Sequence, residues 1–112
     1  MILNENVTIK KLLENLENGH ERIAFLVNDQ KKLISCVTQG DIIRALIDGV
    51  SLKVSAKEIS RLNPKVVMKQ KGAQKKAIEL IISNKLHAVP IINKNGSIHT
   101  IVSIENLYDE QN

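Results

Sequence analysis

Four consecutive residues, Thr38-Gln39-Gly40-Asp41, place a hydroxyl three positions before a carboxylate at a predicted junction of strand and helix. Threonine is a favoured N-cap residue, and the free N–H groups of a helix's first turn can bind an anion. A carboxylate one turn later can accept two hydrogen bonds from the vicinal hydroxyls of a ribose. The pattern is therefore open to two interpretations: a helix cap that needs no ligand, or a site that holds the phosphate and sugar of a nucleotide.

The same spacing recurs 65 residues later, where Ser103 replaces Thr38 and Asn106 replaces Asp41. The apolar positions of the two halves coincide at this offset without a gap, which indicates an internal repeat. Binding sites are therefore expected as a related pair. An amide offers one acceptor where a carboxylate offers two, and neutral hydrogen bonds are weaker than charge-assisted ones. The site around Asn106 is therefore expected to be the weaker one.

Apolar periodicity predicts the order strand, helix, strand, strand, helix in each half, an α/β fold. We expect residues 1–49 to form the first repeat, 50–64 a linker and 65–112 the second repeat. In the first half, Gly19 is expected to end a helix in the left-handed conformation, and Ser55 to open a capping box in the linker. The predicted strands are 2–3, 23–27, 33–37, 66–68, 88–92 and 98–102, and the predicted helices are 8–18, 38–47, 73–84 and one starting at 103.

The length of 112 residues predicts one compact body, or two half-domains that share one core. The core is expected to be aliphatic, because aromatic residues make up only 2% of the chain. No apolar run approaches the length of a membrane span, and the first residues lack the pattern of a secretory signal. The single cysteine, Cys36, lies in an apolar run and is expected to be buried. These features favour a cytoplasmic location.

The net charge of +4 comes from 16 basic and 12 acidic residues, with a lysine-rich segment at 65–76. Because no aromatic residues alternate with these charges, a nucleic-acid partner is not expected. His20 and His99 are expected at the surface, and no grouping of His, Cys and carboxylates has metal-ligand spacing. Since no nucleophile–base pair is recognisable, we predict neither catalytic residues nor a metal site.

The repeated unit, with Val37-Thr38-Gln39-Gly40-Asp41 and Ala88-Val89-Pro90-Ile91-Ile92-Asn93, resembles a pair of cystathionine β-synthase (CBS) domains, or Bateman module. The resemblance covers essentially the whole chain. It implies two intertwined β-α-β-β-α repeats with pseudo-twofold symmetry, in one compact module that regulates rather than catalyses. It also implies clefts between the repeats that bind AMP, ADP, ATP or S-adenosylmethionine as regulatory ligands, with no required cofactor.

The resemblance assigns ribose binding to Asp41 and a phosphate-side hydroxyl to Thr38. From the second repeat it adds aliphatic contacts to adenine at Val66, Val67 and Met68, and a phosphate contact at His87. The mirrored, weaker site would use Ser103, Asn106, Leu3 and Arg22.

Residues 38–52 are also similar to the first repeat of modules that precede sugar-phosphate nucleotidyltransferase domains in bacterial surface-polysaccharide pathways. The similarity includes Arg44 and the stretch Gly49-Val50-Ser51-Leu52. It implies a regulatory fragment that is covalently attached to a catalytic domain in a longer protein.

A structural role remains the alternative, namely a dimerisation module that has lost its ligand. Asn106 favours it, as do Ser35 and Thr100, at positions where many family members carry glycine. The apolar residues that could form a homodimer face are Ile43, Leu46, Ile47, Leu107 and Tyr108.

Overall fold

The computed structural model describes residues 1–19 and 21–104, and it divides into a first unit, Met1–Pro64, and a second unit, Lys65–Asn112. The α/β class is confirmed, because the described residues of each unit combine a small sheet with at least one α-helix. The predictions for His20, for Asn106, Leu107 and Tyr108, and for all but the first residues of the last helix lie outside the described residues.

The first unit contains β1 (Ile2–Asn4), α1 (Ile9–Asn18), β2 (Ile23–Val27), β3 (Leu33–Thr38), α2 (Gln39–Ile47), a short 3₁₀ helix (Ala56–Ile59) and β4 (Arg61–Leu62). Its strands form a four-stranded sheet in the order β1-β2-β3-β4. Strand β1 is parallel to β2, and the other neighbouring pairs are antiparallel. The side chain of Thr8 caps α1 as predicted, since its Oγ1 accepts a hydrogen bond from the N–H of Lys11 at 3.1 Å.

The second unit contains β5 (Val67–Met68), α3 (Ala73–Asn84), β6 (Ala88–Ile92) and β7 (Ile98–Ser103). Its strands form a three-stranded sheet in the order β5-β6-β7, with β5 parallel to β6. The two cores are aliphatic, as the composition predicts. The first contains Ile9, Leu12, Leu16, Ala24, Leu26, Val37, Ile42 and Ala56, and the second contains Val67, Ala73, Ala77, Ile81, Val89, Ile91 and Val102.

The β2–β3 and β6–β7 hairpins have the same register at the offset of 65 residues. Ile23 lies opposite Thr38, and in the second unit Ala88 lies opposite Ser103. The local irregularity in the first hairpin also recurs in the second, between Leu26 and Val27 and between Ile91 and Ile92. The repeat read from the sequence is therefore a repeat of backbone pairing.

The segment 50–64, predicted as a linker, is packed into the first unit. Ala56 is fully buried in its core, and Val54 and Ile59 pack against the same cluster. Strand β4, which the sequence did not predict, pairs with β3 through Ser35–Leu62 and Cys36–Arg61.

Two local predictions are wrong. Ser55 does not cap the short helix, because its hydroxyl donates instead to the carbonyl of Glu5 at 2.8 Å. Gly19 is not left-handed, since its φ of −111° is extended backbone that other residues also adopt.

Buried polar groups in this fold include one without a hydrogen-bond partner among the described residues. Ser35 is 0% exposed, and its Oγ has no such partner. The adjacent Cys36 is buried, as predicted. An unpaired buried hydroxyl costs the fold its desolvation free energy.

Replacement of this hydroxyl is expected to stabilise the protein. Ser35→Ala should raise the free energy of unfolding by about 1 kcal/mol, because it removes the unsatisfied group and leaves the backbone unchanged. Urea denaturation measures this change. Ser51→Ala, at an exposed position, serves as the control and should change stability by less than about 0.5 kcal/mol. A less stable Ser35→Ala protein would contradict the prediction.

Candidate functional site

The site is built on the turn from β3 into α2. Thr38 ends the strand in an extended conformation and caps the helix, and its Oγ1 accepts a hydrogen bond from the N–H of Asp41 at 3.2 Å. In return, Oδ2 of Asp41 accepts a hydrogen bond from the N–H of Thr38 at 3.0 Å. This reciprocal pair is a capping box, which fixes the carboxylate at the first turn of α2.

Two arginines also bind the Asp41 carboxylate. Nη2 of Arg44 donates to Oδ1 at 2.6 Å, and Nε of Arg61 donates to the same oxygen at 2.9 Å. Arg44 lies one helical turn after Asp41, so the spacing along α2 could have revealed this pair. Arg61 could not be found in this way, because the pairing of β4 with β3 brings it to the site from 20 residues away.

The electrostatic environment keeps Asp41 ionised. The Asp41 side chain is 7% exposed, whereas those of Arg44 and Arg61 are 60% and 64% exposed. Burial by itself raises the pKa of Asp41, but hydrogen bonds from Thr38, Arg44 and Arg61 outweigh it and place the pKa below its usual value. The site thus presents one buried anion beneath two largely exposed cations.

The neighbouring thiol has the opposite tendency. Burial raises the pKa of Cys36, the charge of Asp41 raises it further, and Arg61 lowers it in part. Since the net pKa lies above its usual value, Cys36 is a neutral buried thiol at neutral pH and not an activated nucleophile.

The aliphatic residues predicted to contact adenine lie in the second unit. Val67 packs in its core, whereas Val66 and Met68 are exposed. These three residues help to line an open cavity of about 480 Å³. The other lining residues are Gln70, which precedes α3, and Lys76, Glu79, Leu80 and Ser83 on α3.

The remaining predicted site residues occupy matching places in the two units. Arg22 is exposed, and its carbonyl accepts a hydrogen bond from the N–H of Gln39 at 3.2 Å. His87 is half-buried, and its carbonyl accepts a hydrogen bond from the N–H of Ile104 at 2.9 Å. Each residue thus lies where a hairpin strand begins beside the start of the following helix.

Ser103 ends β7 and is half-buried, and Leu3 is half-buried against the core of the first unit. Asn106, the proposed acid-equivalent of the weaker site, lies outside the described residues. The structure therefore brings Thr38 and Asp41 into direct contact. Each of the other described residues of the predicted site is located only within its own unit.

Two kinds of feature are absent from the described residues, 1–19 and 21–104. These residues contain no group of three or more His, Cys, Asp or Glu residues that could hold a metal ion. Within the same residues, no helix is long and apolar enough to cross a membrane.

The lowered pKa of Asp41 predicts how stability depends on pH. A carboxylate whose folded-state pKa lies below its unfolded value stabilises the fold above the unfolded pKa, about 3.9, and loses that contribution as the pH falls through the folded value. Chemical denaturation at pH values from about 7 to 2.5 measures this loss. Asp41→Asn should be less stable at pH 7, and the difference from the wild type should shrink below pH 4. A difference that stays constant with pH would contradict the assigned charge.

Comparison with known proteins gives a family match over the first part of the chain. Residues 1–48 match the model of the CBS domain. A relative from Helicobacter pylori is 26% identical over 96 residues, which make up 84% of this chain but only 29% of the relative. The chain therefore spans less than a third of the length of the Helicobacter pylori relative.

Solved structures extend the match over the whole chain. A CBS domain protein from Pyrobaculum aerophilum, complexed with AMP, is 25% identical, with a TM-score of 0.79 over 96% of this chain and 82% of its own. The CBS domain pair of protein MJ0100, in complex with 5′-methylthioadenosine and S-adenosyl-L-methionine, has a TM-score of 0.79 at 20% identity and covers 100% of this chain and 91% of its own. The family match and these structures together support the fold of a CBS-domain pair.

Proposed function

We propose that this chain, which has the fold of a CBS-domain pair, is a regulatory module that senses an adenosine nucleotide. The observation that carries the proposal is Asp41, an ionised carboxylate held beside Thr38 at the first turn of α2. The resemblance to CBS domains supports the assignment of the ribose-binding acid to this position. The AMP bound to the Pyrobaculum aerophilum protein, at 25% identity, supports the same ligand class.

The bound nucleotide is held by different groups at its three parts. Asp41 accepts hydrogen bonds from the ribose hydroxyls, and Thr38 lies on the phosphate side. The resemblance to CBS domains implies contacts to adenine from Val66, Val67 and Met68 and a contact to the phosphates from His87. A second, weaker site uses Ser103, Asn106, Leu3 and Arg22.

Regulation follows from differential binding. A nucleotide that binds one arrangement of the module more tightly shifts its population toward that arrangement, and a covalently attached domain is biased in turn. The likeness of residues 38–52 to modules preceding sugar-phosphate nucleotidyltransferases supports such an enzyme as the attached domain. The proposed location of the protein is the cytoplasm. Because this chain spans 29% of the Helicobacter pylori relative, such a module can belong to a much longer protein.

The sensing function predicts a selective gain in thermal stability. A nucleotide at about 100 times its dissociation constant should add about 2.7 kcal/mol to the free energy of unfolding, which raises the melting temperature by several degrees. Asp41→Ala should abolish this shift. Asp48→Ala, an exposed residue at the C-cap of the same helix, is the matched control and should retain it.

The panel contains AMP, ADP, ATP, S-adenosylmethionine and the guanine nucleotides. Asn106→Ala should reduce the shift much less than Asp41→Ala does, because the second site is the weaker one. If Asp41→Ala keeps the full shift, then Asp41 does not bind the ribose. If no nucleotide shifts the wild type, then the sensing function itself is wrong.

A second candidate function, dimerisation, is favoured by one observation on α2. Three large apolar side chains on this helix, Ile43, Leu46 and Ile47, are exposed, and Ile47 is 77% exposed. Beside two of them, a groove of about 270 Å³ runs along α1 and α2, lined by Leu13, Leu16, Glu17, Gln39, Ile42, Ile43 and Leu46. We propose that this face joins two copies of the chain.

The dimer face is tested by the mass of the protein in solution. Sedimentation equilibrium should give a dimer for the wild type and a monomer for Ile47→Glu, because a buried unpaired carboxylate would oppose association. Lys53→Glu makes a charge change at an exposed polar position and should leave the dimer intact. A wild-type monomer at all concentrations would contradict the dimer.

A further inference from the structure

We infer that Arg44 and Arg61 act as a charge filter on the Asp41 site, which makes it select anionic adenosine phosphates over uncharged adenosine and over the sulfonium ligand S-adenosylmethionine. The inference deepens the proposed function and depends on ribose binding at Asp41. It rests on how the hydrogen-bonding capacity of the carboxylate is already used.

Each carboxylate oxygen has two lone pairs. Both positions on Oδ1 are taken, one by Nη2 of Arg44 and one by Nε of Arg61. Oδ2 accepts one hydrogen bond, from the N–H of Thr38. The hydrogen bonds among the described residues thus leave one acceptor position on Oδ2. A ribose diol donates two hydrogen bonds to the carboxylate, so its binding displaces one of the present partners. The N–H of Thr38 is fixed by the backbone, whereas the arginine side chains are largely exposed, so a guanidinium on Oδ1 is the partner that leaves.

A displaced guanidinium stays close to the ligand because its backbone is fixed. Arg61 is held on β4 opposite Cys36, and Arg44 is held one turn along α2. Both side chains are largely exposed, which leaves their ends free to turn. A phosphate group would give the displaced guanidinium a new charge-assisted and bidentate partner. Uncharged adenosine offers no such partner. When it binds, the displaced guanidinium loses its hydrogen bond to Asp41 and gains none in return.

The position of Arg44 supports this exchange. A Cβ on Gly40 would lie 3.3 Å from Nη1 of Arg44 and 3.7 Å from Oγ1 of Thr38. The guanidinium and the hydroxyl assigned to the phosphate side therefore both lie near Gly40 at the first turn of α2. A side chain at this position would require the guanidinium to shift slightly.

The sum of the charges explains the second part of the filter. Asp41, Arg44 and Arg61 together carry one net positive charge. This charge attracts the phosphates of AMP, ADP and ATP. It repels the sulfonium of S-adenosylmethionine, whose ammonium and carboxylate cancel each other.

The test measures binding preference by isothermal titration calorimetry with adenosine, AMP, ATP and S-adenosylmethionine. The wild type should bind AMP at least about tenfold more tightly than adenosine, as one charge-assisted hydrogen bond would give. In Arg44→Gln/Arg61→Gln this ratio should fall to about threefold or less, with adenosine bound no more weakly than by the wild type. The single variants Arg44→Gln and Arg61→Gln give intermediate ratios and replace the double variant if it does not fold.

The matched control is Lys31→Gln/Lys32→Gln, which also removes two positive charges. These lysines are exposed and precede β3, at the opposite end of that strand from Thr38. It should keep the wild-type ratio. Added salt should weaken AMP binding to the wild type more than to the double arginine variant, because it screens the phosphate–guanidinium attraction.

The outcomes separate the two proposals. Binding by the wild type with the same AMP-to-adenosine ratio in the arginine variants overturns the charge filter and leaves nucleotide sensing intact. Tighter binding of S-adenosylmethionine than of AMP by the wild type also overturns it. Failure of the wild type to bind any of the four ligands overturns the proposed function, and the filter with it.

Discussion

The carboxylate of Asp41 is the point on which the described structure of this site depends. It closes the capping box that starts α2, and it binds one arginine from that helix and one from β4. A buried carboxylate is costly unless it is paired, and here the hydrogen bonds from Thr38, Arg44 and Arg61 meet that requirement. The same group is thus both a structural cap and a buried, charged acceptor in the first unit.

Both interpretations of Thr38-Gln39-Gly40-Asp41 use the same atoms. The capping box forms within the chain, so capping by itself accounts for the residue types. The proposed ligand site would use these atoms in a different set of hydrogen bonds. In that proposal the arginines connect the two roles, because a ribose diol would take the place of a guanidinium on the carboxylate.

Most of the fold could be predicted because the repeat doubles every periodic signal. The strands 23–27 and 88–92 and the helix 73–84 match the structure, since continuous aliphatic runs and helical spacing depend on local sequence. Strand β4 was missed because Arg61 and Leu62 are exposed and carry no apolar pattern. The role of Ser55 was misjudged because its hydroxyl bonds to Glu5, 50 residues away. Thr38 and Asp41 could be recognised because they are three residues apart in one turn. Arg61 could not, because it reaches Asp41 from 20 residues away.

The crystal structure of the protein with bound AMP would test the central claim most directly. We predict that both ribose hydroxyls lie within about 3 Å of the Asp41 carboxylate oxygens and that at least one guanidinium has moved from Oδ1 to the phosphate. AMP bound elsewhere, with Arg44 and Arg61 still paired to Asp41, would contradict the account.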